Sequence, residues 1–243
     1  MTPKPLGAKA YGHVAHLPGS RMGPGDHHCH EGQARIATEK TRDRHDLVIV
    51  QQKVDGSCCA VAKLDGCIVP LTRAGYVAST SPYEQHQLFF VWAMERQLLF
   101  QELLREGERF VGEWLAQAHG TRYQLPHEPF AVFDLMRSVK RAPYAELLDR
   151  LGGALPVPQL LHQGSACPVA AALDKIDPSF HGCLDVPEGA VWRVERKGEV
   201  DFLVKFVRPD KADGRYLPEV SGDQPIWNWR PPASREQRAA RSA

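Results

Sequence analysis

Lys53 lies in the tetrapeptide Lys53-Val54-Asp55-Gly56, directly after the apolar run Leu47-Val48-Ile49-Val50 and the pair Gln51-Gln52. A lysine amine is a nucleophile only once it sheds its proton, which takes burial or neighbouring cations. The end of a strand before a glycine turn would hold that amine rigidly, with Asp55 able to steer it. Alone, the tetrapeptide reads as an ordinary turn, because Asp-Gly after a lysine is common. Companions further along the chain change the reading. Thr72-Arg73-Ala74-Gly75 puts an arginine at a strand end. In Phe110-Val111-Gly112-Glu113-Trp114-Leu115 a carboxylate sits within an apolar strand, a costly place unless it accepts hydrogen bonds, for example from a ribose hydroxyl. Phe133, in Phe130-Ala131-Val132-Phe133-Asp134-Leu135, offers an aromatic face suited to a purine. Glu188, at a strand start, is a reasonable ligand for a hard cation. Lys205 has its stem in the apolar run from Phe202 to Arg208, where its charge must meet an anion.

The elements that must position these groups follow from periodicity. The first strand runs from Leu47 into Lys53. Cys58–Leu64 and Cys67–Arg73 form a hairpin about Asp65-Gly66, and a second hairpin joins Ala190–Glu195 to Phe202–Val207 across Lys197-Gly198. Strands are also expected over Arg109–Leu115 and Phe130–Leu135. One long helix is expected from Ser81, with Ser81 as N-cap, Pro82 at the first helical position and Glu84 completing a capping box. Its stripe is Leu88, Trp92, Leu99 and Leu103, it stops at Gly107, and Glu95 within it lacks a reason. Shorter helices fall at Tyr144–Leu151, ended by Gly152-Gly153, and at Val169–Lys175. The fold expected is α+β: antiparallel sheets with a few packed helices. Residues 1–230 make up the main body, with 1–45 an irregular segment wrapped on it and 231–243 a disordered basic tail.

Bulk properties agree with a globular body and exclude several classes. The 243 residues are 43% hydrophobic and 24% charged, enough for a proper core. Thirty basic side chains against 29 acidic ones leave no global basic field, so contact with a nucleic acid must come from a local patch. No apolar run approaches a membrane span, and Met1 to Lys9 carries no signal-like apolar region. Six cysteines, two of them adjacent, make no disulfide framework and point to a reducing, cytoplasmic compartment.

Taken in order, these motifs resemble the covalent lysyl-nucleotidyltransferase superfamily of ATP-dependent DNA ligases, RNA ligases and mRNA capping enzymes. The short spacing between motifs and the opening His16-Leu17-Pro18-Gly19-Ser20 look most like its RNA ligase 2-like branch. The resemblance implies an ATP-grasp-like nucleotidyltransferase (adenylation) core. Lys53 would attack the α-phosphate of ATP, releasing pyrophosphate and forming lysyl-AMP. Arg73 would hold nucleotide and the nucleic-acid end, Glu113 the ribose, Phe133 the adenine, Glu188 a Mg2+ or Mn2+ ion, and Lys205 the α-phosphate. The Gln52 backbone would lie against the adenine edge, and Asp55 belongs to the nucleotide-binding set. The implied activity is an ATP-dependent RNA ligase acting in repair on RNA or RNA-containing nicked duplexes, away from any membrane. Surrounding cations would lower the pKa of Lys53 toward working pH. Val207 stands where some relatives carry a second lysine, so Arg208 or Lys211 would supply that charge. The chain stops soon after, leaving no room for a sizeable C-terminal domain; an accessory protein could supply substrate binding instead, and the oligomeric state is open.

Other signals have plainer readings. Asp26-His27-His28-Cys29-His30 has metal-ligand residue types, but adjacent side chains cannot all converge on one ion, so a solvated loop is expected. Cys58, Cys59 and Cys67 read as core packing, His181 and Cys183 as structural, and Arg42 with Arg44 as an exposed turn. Arg230, Arg235, Arg238 and Arg241 read as a basic tail able to touch RNA. The alternatives are DNA nick sealing, GMP transfer of the capping kind and, outside enzymes, a nucleic-acid-binding module that has lost catalysis.

Overall fold

A computed structural model describes residues 3–232. Its elements are β1 (Ala15–His16), α1 (Glu31–Thr38), β2 (Asp46–Lys53), β3 (Ser57–Leu64), β4 (Cys67–Thr72), α2 (Glu84–Glu95), α3 (Gln97–Leu103), β5 (Glu108–Trp114), β6 (Phe130–Arg137), β7 (Lys140–Arg141), α4 (Tyr144–Leu151), β8 (Leu160–Gly164), α5 (Val169–Leu173), β9 (Gly189–Arg196), β10 (Glu199–Val207) and α6 (Pro218–Ser221). They build two five-stranded sheets, ordered β1-β10-β9-β2-β8 and β4-β3-β5-β6-β7. All pairings are antiparallel except the short β1 beside β10. The expected α+β class holds, and no helix among the described residues is long and apolar enough to cross a membrane.

Both hairpins form as their turn residues require. Asp65-Gly66 and Lys197-Gly198 have positive φ at both positions (49° and 72°, 52° and 80°), the conformation that matches strand twist in a two-residue loop. The link between the sheets is the tetrapeptide itself. β2 ends at Lys53 in one sheet, β3 begins at Ser57 in the other, and Val54-Asp55-Gly56 makes the crossing. A Cβ on Gly56 would lie 2.4 Å from the Trp114 carbonyl oxygen, so only glycine lets the crossing hug β5. Behind the second sheet, Phe89, Trp92, Phe100, Phe110, Trp114 and Phe130 are fully buried in one cluster with α2 and α3.

Several expectations need correction. The single long helix is two, broken at Arg96, whose backbone leaves helical geometry while its guanidinium donates to the Trp92 carbonyl and to Glu128. Leu99 and Leu103 therefore reach the core from α3. Glu95 is solvent-exposed, 3.6 Å from Arg96, which removes its puzzle. Ser81 does not cap α2, which starts at Glu84 after Tyr83 with no side-chain cap; its Oγ pairs instead with His86. The first 45 residues are not wholly irregular, since they contain β1 and α1. α1 packs Ala34 and Ala37 into the core of the first sheet. β8 was not foreseen, and Cys67 is exposed rather than packed. Of the expected tail, 231–232 follow without regular structure, while residues 233–243, with Arg235, Arg238 and Arg241, lie outside the described residues. Arg230 is engaged, paired with Glu84 at 3.0 Å and stacked over Trp227.

Close strand approach makes one glycine a stability test. A Cβ at Gly189 would stand 1.9 Å from the Phe206 carbonyl oxygen on the partner strand, whereas one at Gly32, in α1, meets nothing. Gly189→Ala should lose about 1–3 kcal/mol or more in urea unfolding. Gly32→Ala should be neutral or gain up to about 1 kcal/mol. Equal stability of the two variants would contradict the packing at Gly189.

Candidate functional site

Strand alternation gathers the site. On β2, Val48 and Val50 face the core of the first sheet, and Gln51 and Lys53 face the other way. On β9 and β10 the same parity turns Val191, Arg193, Leu203 and Lys205 to the side of Lys53. The second sheet presents Cys58, Glu113 and Phe133 from the face opposite its aromatic core. These groups line one cleft of about 820 Å³ between the sheets, with Arg73 at its rim and Tyr11, Gly12 and Val14 closing it from the N-terminal segment.

At the cleft's centre Lys53 Nζ donates to Glu188 Oε2 at 2.6 Å, the one hydrogen bond it makes among the described residues. Lys53 is largely buried and Glu188 almost wholly so. Burial pulls the amine pKa down, but the attraction of Glu188, Glu113 and Asp55 outweighs it, and the net direction is up. The expected lowering of the Lys53 pKa by cations is thus not met: in this structure Lys53 is held as an ammonium. Burial, opposed mainly by Lys53, pushes the carboxyls of Glu113 and Glu188 up to about 7 each. Burial rather than neighbouring charge is the main cause of both shifts, and Lys53, Arg73, Arg193 and Lys205 line the same cleft.

The other anticipated residues divide. Glu113 accepts from the Gly56 amide at 3.1 Å, tying the crossing to β5. Phe133 lies edge-on to Tyr11, with centroids 5.3 Å apart. Lys205 stands 3.7 Å from Asp26, and its pKa is lowered by burial and by Lys53. Arg73 is exposed and makes a 3.2 Å contact to the Gly12 carbonyl. Gln52 reaches the cleft by position only. Its backbone N–H donates to the Gln159 carbonyl, and its side chain, on the opposite face, donates to Cys183 Sγ at 3.6 Å. Asp55 does not bond to Lys53; it accepts from the Gly120 amide and Thr121 and pairs with Lys211 at 3.2 Å. Lys211 is therefore the buried cation of the chain beyond β10, but it neutralises Asp55 rather than lining the cleft.

Residues missed in the sequence complete the picture. Tyr11 donates to Asp134 at 2.6 Å, and Asp134 also binds Arg141 and Arg193. Arg193 further donates to the Phe133 carbonyl at 3.2 Å, so a buried charge network props the stacking candidate from below. The clue was an arginine inside the apolar run Ala190–Glu195. Asp26 lies 3.0 Å from His16 Nε2 and faces Lys205. His16-Leu17-Pro18-Gly19-Ser20 clamps β10, since Leu17 N–H donates to the Lys205 carbonyl and Ser20 Oγ accepts from Val207 N–H. His181 is buried against His127 and Cys183 accepts from Gln52, structural roles as expected. Arg42 and Arg44 stand exposed in a turn, as expected, and Arg42 also binds Asp46 and Asp201. Among the described residues, no three or more His, Cys, Asp or Glu side chains converge as a metal site.

The raised carboxyls give a pH signature. With Glu113 shifted from 4.5 to about 7, the folded chain holds a proton that the unfolded chain has released across that window, so this group's contribution to stability falls as pH rises through it. His86 and His181, lowered by burial to about 4 and about 3, give the opposite slope up to about pH 6.5, so the sign must be read from a difference. Glu113→Gln keeps an acceptor for Gly56. It should match the parent in thermal unfolding at pH 4.5 and exceed it at pH 8; a variant less stable than the parent at pH 8 would contradict the burial cost of the Glu113 carboxylate.

No individual curated protein matches the chain in sequence. Two solved structures of lysine-to-alanine variants of Naegleria gruberi RNA ligase with ATP and Mn share its fold at a TM-score of 0.51. One is 16% identical, covering 86% of this chain and 62% of that one; the other is 15% identical, covering 68% and 50%. An archaeal ATP-dependent RNA ligase is 23% identical over 67% of this chain and 42% of its own, at a TM-score of 0.47. The chain spans about half the length of the solved structures it matches. The RNA ligase family model matches residues 46–207, about two-thirds of the sequence and every strand from β2 to β10, and the chain belongs to that family.

Proposed function

We propose that this chain is an ATP-dependent RNA ligase that carries AMP on Lys53, transfers it to a 5′-phosphate end and joins that end to a 3′-hydroxyl. The observation that carries the reading is the Lys53–Glu188 contact at 2.6 Å, with Lys53 lining a cleft beside Arg73, Glu113, Phe133 and Lys205. In the first step the Lys53 amine attacks the α-phosphorus; an N–P bond forms, the bond to the bridging oxygen breaks, and pyrophosphate leaves. Glu188, hydrogen-bonded to Nζ and with its carboxyl at about 7, is positioned to take the amine's proton. Phe133 offers its ring to the adenine, Glu113 its carboxylate to the ribose, and Lys205 and Arg73 their charge to the phosphates.

The donor set fits a divalent ion. Magnesium keeps several waters and binds through one or two carboxylates plus substrate phosphates, so a convergent protein cluster is not required. Glu188, a buried carboxylate beside Lys53, would be the residue to hold it. When bound, such an ion neutralises charge developing on the phosphates. The body through Arg230 is read as one adenylation domain. Against a dead binding module stands the buried set Lys53, Glu113 and Glu188, an electrostatic burden with no use in a passive surface.

The test is label transfer from α-labelled ATP or GTP, followed by sealing of nicked RNA, DNA and hybrid duplexes. ATP alone should label the protein, and Lys53→Ala should lose both label and sealing. Glu188→Ala should slow labelling on the order of a hundredfold or more. Lys205→Ala should slow it by about 100- to 1000-fold. Labelling by GTP would indicate capping chemistry, sealing confined to DNA nicks would indicate a DNA ligase, and strand binding without label would indicate a binding module.

A further inference from the structure

The cleft does not end at Arg73. Beyond the Cys58 and Arg73 side chains, which line both spaces, lies a wider groove of about 1090 Å³ bordered by Ser57, Thr72, Tyr76, Ser81, Tyr83 and His86. Its charge sets it apart. No carboxylate lines it among the described residues and Arg73 is its one full charge, with Lys4 over the Tyr76 ring at the margin. Other surface grooves mix the two signs, Arg42, Arg196 and Lys197 with Glu199 and Asp201 in one, Arg208, Lys211 and Arg215 with Asp185 and Asp210 in the other. Here a polyanion meets a cation and no acid.

The walls supply a stacking surface. Tyr83 is 50% exposed and Tyr76 39%, and both face this groove. Tyr83 is not loose: its ring meets His86 edge-on, with centroids 5.7 Å apart at 87°. His86 is locked in turn, its Nε2 2.8 Å from Ser57 Oγ and its Nδ1 2.7 Å from Ser81 Oγ. Burial and His119 keep this imidazole neutral, with a pKa of about 4. The relay fixes the ring without adding charge, so little order is lost when a flat ligand lands on it.

We propose that this groove seats the 5′-phosphorylated terminal nucleotide of the strand being joined, its base stacked on Tyr83 and its phosphate held by Arg73 at the junction with the Lys53 cleft. The inference rests on the proposed ligase reading, because only an AMP carried on Lys53 gives that end a reason to stop at the junction. Stacking is indifferent to base and to sugar. RNA and DNA ends thus share the platform, and selection between them lies elsewhere.

The test uses the full chain and short fluorescein-labelled RNA and DNA strands carrying either a 5′-phosphate or a 5′-hydroxyl. Tyr83→Ala should weaken binding of the 5′-phosphorylated strands about tenfold. It should slow sealing similarly, while labelling by α-labelled ATP stays at the parent rate and Tyr83→Trp restores affinity. The parent should bind 5′-hydroxyl strands more weakly than 5′-phosphorylated ones. Unchanged binding and sealing in Tyr83→Ala would overturn the proposal, as would equal affinity for the two ends. If the parent never takes label but strand affinity still depends on Tyr83 and on the 5′-phosphate, the ligase reading falls and the groove stands.

Discussion

The structure depends on one ammonium held by a buried carboxylate where the chain passes from one sheet to the other. Lys53 ends a strand of one sheet, three residues before the chain enters the other, so its position belongs to both sheets at once. Its direct partner is Glu188, Glu113 binds the crossing through the Gly56 amide, and Asp55 is drawn off toward Lys211. The first contact holds the amine within its own sheet, and the Glu113–Gly56 bond fastens the crossing to the other. Each buried carboxylate is matched by a donor, which offsets the cost of taking it out of water.

That arrangement accounts for much of what lies around it. Gly56 and Gly189 are glycines because backbone passes where a side chain would stand. The Asp134 network with Tyr11, Arg141 and Arg193 serves no exposed surface; it sets the height of Phe133 against the cleft. The N-terminal segment supplies Tyr11 to this network and, through Leu17 and Ser20, holds the strand that carries Lys205. What reads as irregular sequence is a strap whose hydrogen bonds end on functional strands. Charge beyond the cleft is handled by pairing, as with Arg42 between Asp46 and Asp201. The acid-free groove past Arg73 stands out against that pattern.

The strands bearing Lys53, Glu113, Phe133 and Lys205, and the one that opens just after Glu188, were legible because period-two patterning and two glycine turns are local properties, written in neighbouring residues. Tyr144–Leu151 was legible for the same reason, with a glycine at its end. The long helix was misread because an apolar stripe continues across Arg96, and nothing local announces that Glu128, thirty-two residues away, draws its guanidinium aside. β8 escaped notice because it is a short edge strand whose pairing comes entirely from β2.

By itself, the sequence determined the motif residues, their order, their strands and the turns between them, since these follow from residue types and spacing. Tertiary structure decided which side chains meet. It left Gln52 its backbone at the cleft and turned its side chain toward Cys183, gave Asp55 to Lys211, brought Asp26 to Lys205, and left Lys53 charged because acids distant in sequence converge on it. Electrostatic balance depends on distances through space, and those exist only once both sheets have closed on each other.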